Sequence, residues 1–145
     1  MSQVCVFCSI AAHDTAAQVV LEDDDTVAFL DHRPLFAGHC LLIPRSHFVT
    51  LGDLPPALLT ALWRNAQLLN ASVERAMEAE GTFVAVNNKV SQSVPHFHIH
   101  VVPRRRKDGL RGFFWPRHPY RDDEEMARAA ALIRSALEHA RAAGA

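Results

Sequence analysis

The sequence has no apolar run approaching the roughly 20 residues that a membrane-crossing helix needs. It shows no charged-then-apolar leader of the secretory kind, so a cytoplasmic location is the expectation. It has only three cysteines, an odd number that implies no disulfide framework. Charge of one sign is not in excess: the formal net charge is −1, which gives no overall attraction for nucleic acid or an anionic membrane. Repeats, low-complexity linkers and composition shifts are also missing. The 145 residues, 49% hydrophobic and 21% charged, therefore suit one domain with a real core. We read a single domain over 1–145, with a core at 4–106 and a helix-bearing C-terminal extension at 107–145.

What is present is a set of short patterned segments. Val19–Glu22 and Thr26–Leu30 read as strands of a hairpin joined by the acidic run Asp23–Asp25, itself a solvated turn. DHRPLFAG (31–38) is a loop, and HCLLIP (39–44) a buried strand. Pro55 or Pro56 can open a helix. Leu58, Leu62, Ala66, Leu69, Val73 and Met77 keep helical spacing to about Glu80, with Gly81 as its stop. TFVAVN (82–87) is a further strand. Asp122 with Glu125 resembles a capping box ahead of a last helix with Met126, Ala130, Ile133 and Leu137 on one face. Short connections between strands suggest antiparallel pairing and an α+β fold.

The most informative stretch is HFHIHVVP (96–103). Chance places three histidines at alternate positions roughly once in 30 chains of this composition. Alternation and β-branched residues make it a strand that Pro103 ends, with His96, His98 and His100 on one face and Phe97, Ile99 and Val101 toward the core. A lone buried histidine is usually structural. Three unpartnered imidazoles side by side would be costly. The row can hold a metal, bind an anion, or do covalent chemistry, since a neutral imidazole attacks phosphorus or acyl groups and protonated neighbours would stabilise the anion that forms.

Around the row lie Asn87, Gln92 and Ser93, hydrogen-bonding groups suited to phosphate oxygens, although each alone is an ordinary loop residue. His39 follows Gly38, where backbone can approach a ligand closely. Cys5 and Cys8 form CVFC, which has metal-ligand spacing, but a lone CxxC is ambiguous between metal, redox and chance, and a tetrahedral site would need two histidines besides. Arg104–Lys107 is a solvated basic loop and weak evidence for nucleic acid. Trp115 suits packing, at a subunit contact for example.

His-apolar-His-apolar-His-apolar-apolar at 96–102 resembles the signature of the histidine triad (HIT) family. AFLDHRP (28–34), GHCLLIPRSH (38–47) and QSVPHFHIHVVPR (92–104) extend the likeness over most of the chain. The resemblance implies an α+β fold with an antiparallel sheet of about five strands, one long helix and a C-terminal helix. It further implies a homodimer. The implied activity is transfer or hydrolysis of nucleotidyl groups at the α-phosphate of a purine nucleotide conjugate, either a phosphoramidate or a dinucleoside polyphosphate. By this resemblance His98 is the nucleophile, and His100, His39 and Ser93 serve the phosphate and leaving group. Asn87 and Gln92 hold the phosphate, Asp31 binds the ribose hydroxyls, and Phe7, Phe29 and His32 line the base pocket. Cys5, Cys8, His47 and His96 would form a structural, non-catalytic zinc site. One departure is the loop NNKVSQ (87–92), where relatives often carry glycine. The alternatives are a nucleotide-binding or interaction protein with incidental catalysis, and a metal-dependent enzyme using the whole histidine row.

Overall fold

The computed structural model describes residues 4–110 and 118–144; the expectation for Trp115 falls outside the described residues. The chain divides into two compact units, Met1–Asp108 and Gly109–Ala145.

The first unit is a five-stranded antiparallel sheet in the order β1-β2-β3-β5-β4. Strands β1 (Val19–Glu22) and β2 (Thr26–Leu30) form the expected hairpin. Its turn does more than meet solvent. The Asp23 carboxylate accepts from the backbone N–H groups of Asp25 and Thr26, at 3.0 and 2.7 Å, and from the side-chain amide of Asn65 at 2.6 Å. Burial alone would raise its pKa, but these hydrogen bonds outweigh that and hold it below the ordinary aspartate value. A residue of the acidic run thus ties the hairpin to the long helix.

Strand β3 (Cys40–Pro44) is central and buried throughout. The chain then passes a 3-10 turn (Leu51–Asp53) and enters α2 (Pro56–Ala76), with proline in its first turn. Leu62, Ala66, Leu69 and Val73 form the buried stripe of α2. The helix stops at Ala76, short of the expected Glu80. Tertiary structure decides this: Glu78 takes a φ of +50°, the Glu80 N–H pairs with the Arg104 carbonyl, and Gly81 already opens β4 opposite Arg104. The Met77 carbonyl accepts from the Arg105 guanidinium at 2.6 Å.

Strands β4 (Gly81–Ala85) and β5 (Ile99–Arg104) complete the sheet. Two expectations for the histidine stretch need correction. The strand starts at Ile99 rather than His96, because pairing with β3 ends at Leu42 opposite Ile99. Pro103 lies inside the strand and does not end it. The last pairing with β3 is Cys40 with Val101, so β4 is the sole neighbour at Pro103 and a missing N–H is tolerated there.

The alternation nevertheless holds. Phe97, Ile99 and Val101 join Ala28, Cys40 and Leu42 in the core beneath α2. The opposite face packs Val27, Phe29, Leu41 and Ile43 against Phe7, Ile10 and Ala11 of α1 (Val6–Ala11). The sheet therefore carries apolar residues under α2 and histidines on the other side. In the second unit, α3 (Asp123–Ala142) begins as expected, with the Asp122 side chain accepting from the Glu125 N–H.

Gly38 has a φ of +93°, and a Cβ there would lie 2.6 Å from Met77 Cγ. The close approach expected at this glycine is to a side chain of the protein itself. Gly38→Ala should lower unfolding free energy by roughly 2–4 kcal/mol in urea titration, from the left-handed backbone and overpacking together. Adding Met77→Ala should relieve the steric part only. An unchanged midpoint in the single variant would contradict this packing.

Candidate active site and metal centre

His98 lies just ahead of β5, where the Phe97 N–H donates to the Phe48 carbonyl at 2.6 Å. His98 is 3% exposed. Its Nδ1 lies 2.7 Å from the carbonyl oxygen of His96. A carbonyl only accepts, so Nδ1 carries the proton and Nε2 of the neutral ring keeps its lone pair. Burial pushes the His98 pKa below its ordinary value, with the His96 carbonyl opposing. The ring is therefore neutral at pH 7, with a basic nitrogen that has no hydrogen-bond partner among the described residues.

The same bookkeeping runs through a second pair. The Leu35 backbone N–H donates to His39 Nδ1 at 3.1 Å, which leaves the proton of neutral His39 on Nε2. That nitrogen is 3.0 Å from His100 Nδ1 and donates to it. The proton of His100 is then on Nε2, a buried atom with no hydrogen-bond partner among the described residues. Native structures seldom leave such a group unsatisfied without a functional reason. The His98 and His100 rings stand 4.8 Å apart, so a lone pair and an unpartnered N–H donor share one site. Burial first, then the neighbouring His98 and His39, push His100 down to about 4. Burial also lowers His39. The neighbours of His98 are therefore neutral, because desolvation outweighs the nearby Asp31 carboxylate.

Asp31 lies against this group. One carboxylate oxygen accepts from the Arg33 N–H at 2.9 Å, and the other is 3.8 Å from His39 Nδ1. Asp31, His39 and His100 place ligand atoms within 4.8 Å of one another. As metal donors they fit poorly, because His39 Nδ1 is occupied by Leu35 and the facing ring nitrogens are at hydrogen-bond distance. Phe7 and Phe29 are buried edge to face at 5.4 Å, whereas the side chain of His32 is 86% exposed.

The 87–92 loop departs from the sequence expectation in detail. The Gln92 amide accepts from the Lys89 N–H at 2.8 Å and donates to the Val49 carbonyl at 2.6 Å. Its hydrogen bonds hold the loop. Asn88, which the sequence reading did not single out, accepts from the Leu51 N–H at 2.8 Å. Lys89 and Ser91 take φ values of +67° and +60°. This loop thus forces onto side-chain-bearing residues the left-handed backbone that glycine adopts freely, at a cost of about 1–2 kcal/mol each. Asn87 is half-buried and Ser93 exposed.

His96 faces away from this group. Its Nε2 lies 2.8 Å from the Pro44 carbonyl and donates to it, leaving the Nδ1 lone pair free. That Nδ1 is 3.5 Å from both Cys5 Sγ and Cys8 Sγ, and Cys8 Sγ is 3.3 Å from His47 Nδ1. All four ligand atoms lie within 4.8 Å of one another. A tetrahedron with bonds of about 2.1–2.3 Å has edges of about 3.4–3.8 Å, so two sulfurs and two nitrogens here can hold a metal. Its outer support is already present in the Pro44 carbonyl. Burial, then the Cys5 thiol, raises the Cys8 pKa, and burial lowers His96 to about 4.

A family model described as the HIT domain matches residues 12–107. Adenylylsulfatase HINT3 of Arabidopsis thaliana is 31% identical over 140 residues, covering 92% of this chain and 69% of its own. Adenosine 5'-monophosphoramidase HNT1 of Saccharomyces cerevisiae is 34% identical over 113 residues, covering 76% of this chain and 69% of its own. Among solved structures, a Zn-bound histidine triad family protein from Mycobacterium smegmatis is 36% identical. It superposes with a TM-score of 0.71, over 94% of this chain and 99% of that one.

The buried neutral histidines set a pH dependence. His100 titrates near 4 in the folded chain and near its ordinary 6.5 when unfolded. Between these values the unfolded state binds more protons, so folding stability rises with pH across that window. Chelator-treated protein should show a urea midpoint that is level above pH 6.5 and falls steadily toward pH 4. A level midpoint through that window would contradict the neutral, buried assignment.

Proposed function

The chain belongs to the histidine triad family, and from that premise we propose that it is a nucleotidyl hydrolase or transferase. Its substrate is a purine nucleotide conjugate, attacked at the α-phosphate. The names of its relatives, an adenylylsulfatase and an adenosine 5'-monophosphoramidase, support adenosine as the nucleoside. The observation that carries the reading is the lone pair on His98 Nε2 beside the unpartnered N–H of His100.

The steps follow from those atoms. His98 Nε2 attacks the α-phosphorus, a P–N bond forms, and the bond from phosphorus to the leaving group breaks. The His100 N–H donates to a phosphoryl oxygen as charge builds on it. His39 holds His100 in the donating tautomer. The Ser93 hydroxyl passes a proton to the departing atom. Water then attacks phosphorus and returns a proton to Ser93, the P–N bond breaks, and the nucleoside monophosphate leaves with His98 restored. Another acceptor in place of water makes the same chemistry a transfer.

Asp31 has the two oxygens that suit adjacent ribose hydroxyls. Phe29 and His32 serve the base, Asn87 serves the phosphate, and Phe7 packs against the His98 ring. Gln92 shapes the phosphate loop through its bonds to Lys89 and Val49. Residues 4–106 form the catalytic core and 107–145 an extension. Cys5, Cys8, His47 and His96 would hold zinc, a closed four-ligand ion that supplies a structural tie between α1 and the sheet and leaves no position for substrate. The protein works as a cytoplasmic homodimer in this reading. Among the described residues no helix is long and apolar enough to cross a membrane.

The test is product analysis on purified protein. Adenosine phosphoramidate, adenosine phosphosulfate and a diadenosine polyphosphate are offered separately, with His98→Ala as control. AMP should appear from at least one, and the variant should lose roughly 10³-fold or more in kcat. An equally active His98→Ala would overturn the mechanism. Tight nucleotide binding without turnover of any substrate would favour a binding protein.

A further inference from the structure

Two residues separate the cysteines of CVFC, and they face opposite ways. Val6 is 43% exposed, whereas Phe7 is 7% exposed. The Phe7 ring meets His98 edge to face, with centroids 5.2 Å apart and planes at 87°. It also meets His96 at 5.9 Å and Phe29 at 5.4 Å. Phe7 therefore links the CVFC segment, which carries two of the prospective metal ligands, to the ring that carries the nucleophilic nitrogen.

A second path joins the same two centres. His96 gives its Nδ1 to the metal cluster and its backbone carbonyl to His98 Nδ1. Holding the His96 ring between the cysteines and the Pro44 carbonyl fixes the residue whose carbonyl sets the His98 tautomer. An imidazole restrained at Nδ1 by one hydrogen bond can still tilt about it. The Phe7 ring packed against it at 5.2 Å, with the His100 ring at 4.8 Å, restricts that freedom.

We propose that Phe7 is a positioning residue for His98, and that the Cys5–Cys8–His47–His96 cluster acts on the reaction through it. Metal occupancy then sets the orientation of the nucleophile as well as the stability of the fold. The catalytic consequence rests on the role given to His98 above; the effect on the His98 ring does not. The assignment differs from a base-pocket role for Phe7, which would act on substrate affinity and leave the imidazole unchanged.

The experiment compares zinc-loaded wild type, zinc-loaded Phe7→Leu and chelator-treated wild type. Zinc content, circular dichroism, imidazole 15N spectra, kcat and KM are read on each. Leucine keeps an apolar side chain but lacks the flat ring. Phe7→Leu should keep its zinc and its KM while kcat falls roughly ten- to a hundredfold, as for a modest misplacement of a reacting group. Its His98 signals should show mixed tautomers or exchange broadening, and chelated wild type should show the same change while still folded. A raised KM with unchanged kcat and wild-type His98 signals overturns the proposal, as does a His98 spectrum indifferent to chelation. If Phe7→Leu loses its zinc, Phe7→Met takes its place with the same expectations. If no substrate is turned over by wild type, the functional reading fails, and the spectra alone decide the effect on His98.

Discussion

One hydrogen bond organises the site. By donating Nδ1–H to the His96 carbonyl, His98 commits its lone pair to Nε2. A free imidazole exchanges between tautomers, and half-commitment would halve the nucleophile and blur its direction. Most of the surrounding architecture keeps that carbonyl in place. The Phe97 N–H is anchored on Phe48, the His96 ring is held at both nitrogens, and β5 runs on from Ile99 between β3 and β4. His39 and His100 repeat the device, with the Leu35 backbone amide as the fixed donor at the start of the chain of bonds.

The sheet makes this arrangement compatible with folding. Alternation sends Phe97, Ile99 and Val101 under α2, where their burial stabilises the fold at about 25 cal/mol per Å² of apolar area. The histidines occupy the other face, where the short α1 gives only a small apolar cover. Six residues of helix bury little, and a metal on Cys5 and Cys8 is the natural supplement to that contact. Stability and chemistry thus meet at α1, through Phe7.

Much of this was legible in the residues. The strands at 19–22 and 26–30 were readable because two short, β-branched apolar runs flank an acidic turn. His98 and His100 were readable as one row, whereas His39 and the donor set Cys5, Cys8, His47 and His96 came from the family resemblance; the four donor atoms lie within 4.8 Å of one another. What sequence could not show was set by partners distant in the chain. The end of α2 was fixed by register with Arg104, and Pro103 stayed within β5 because β3 ran out opposite Val101. The Gln92 amide went to the backbone of Lys89 and Val49, and nothing in a glutamine announces that. The Leu35 amide had no signal at all, since a backbone N–H is common to every residue but proline.

The central claim is a covalent bond between His98 Nε2 and the α-phosphorus. Mixing the protein with excess adenosine phosphoramidate, quenching rapidly in base and mapping peptides by mass tests it directly. A transient mass increase of one adenylyl group, confined to the peptide carrying His98 and missing from His98→Ala, is the predicted result. Turnover with no adduct at any quench time, or an adduct on another residue, would contradict the account.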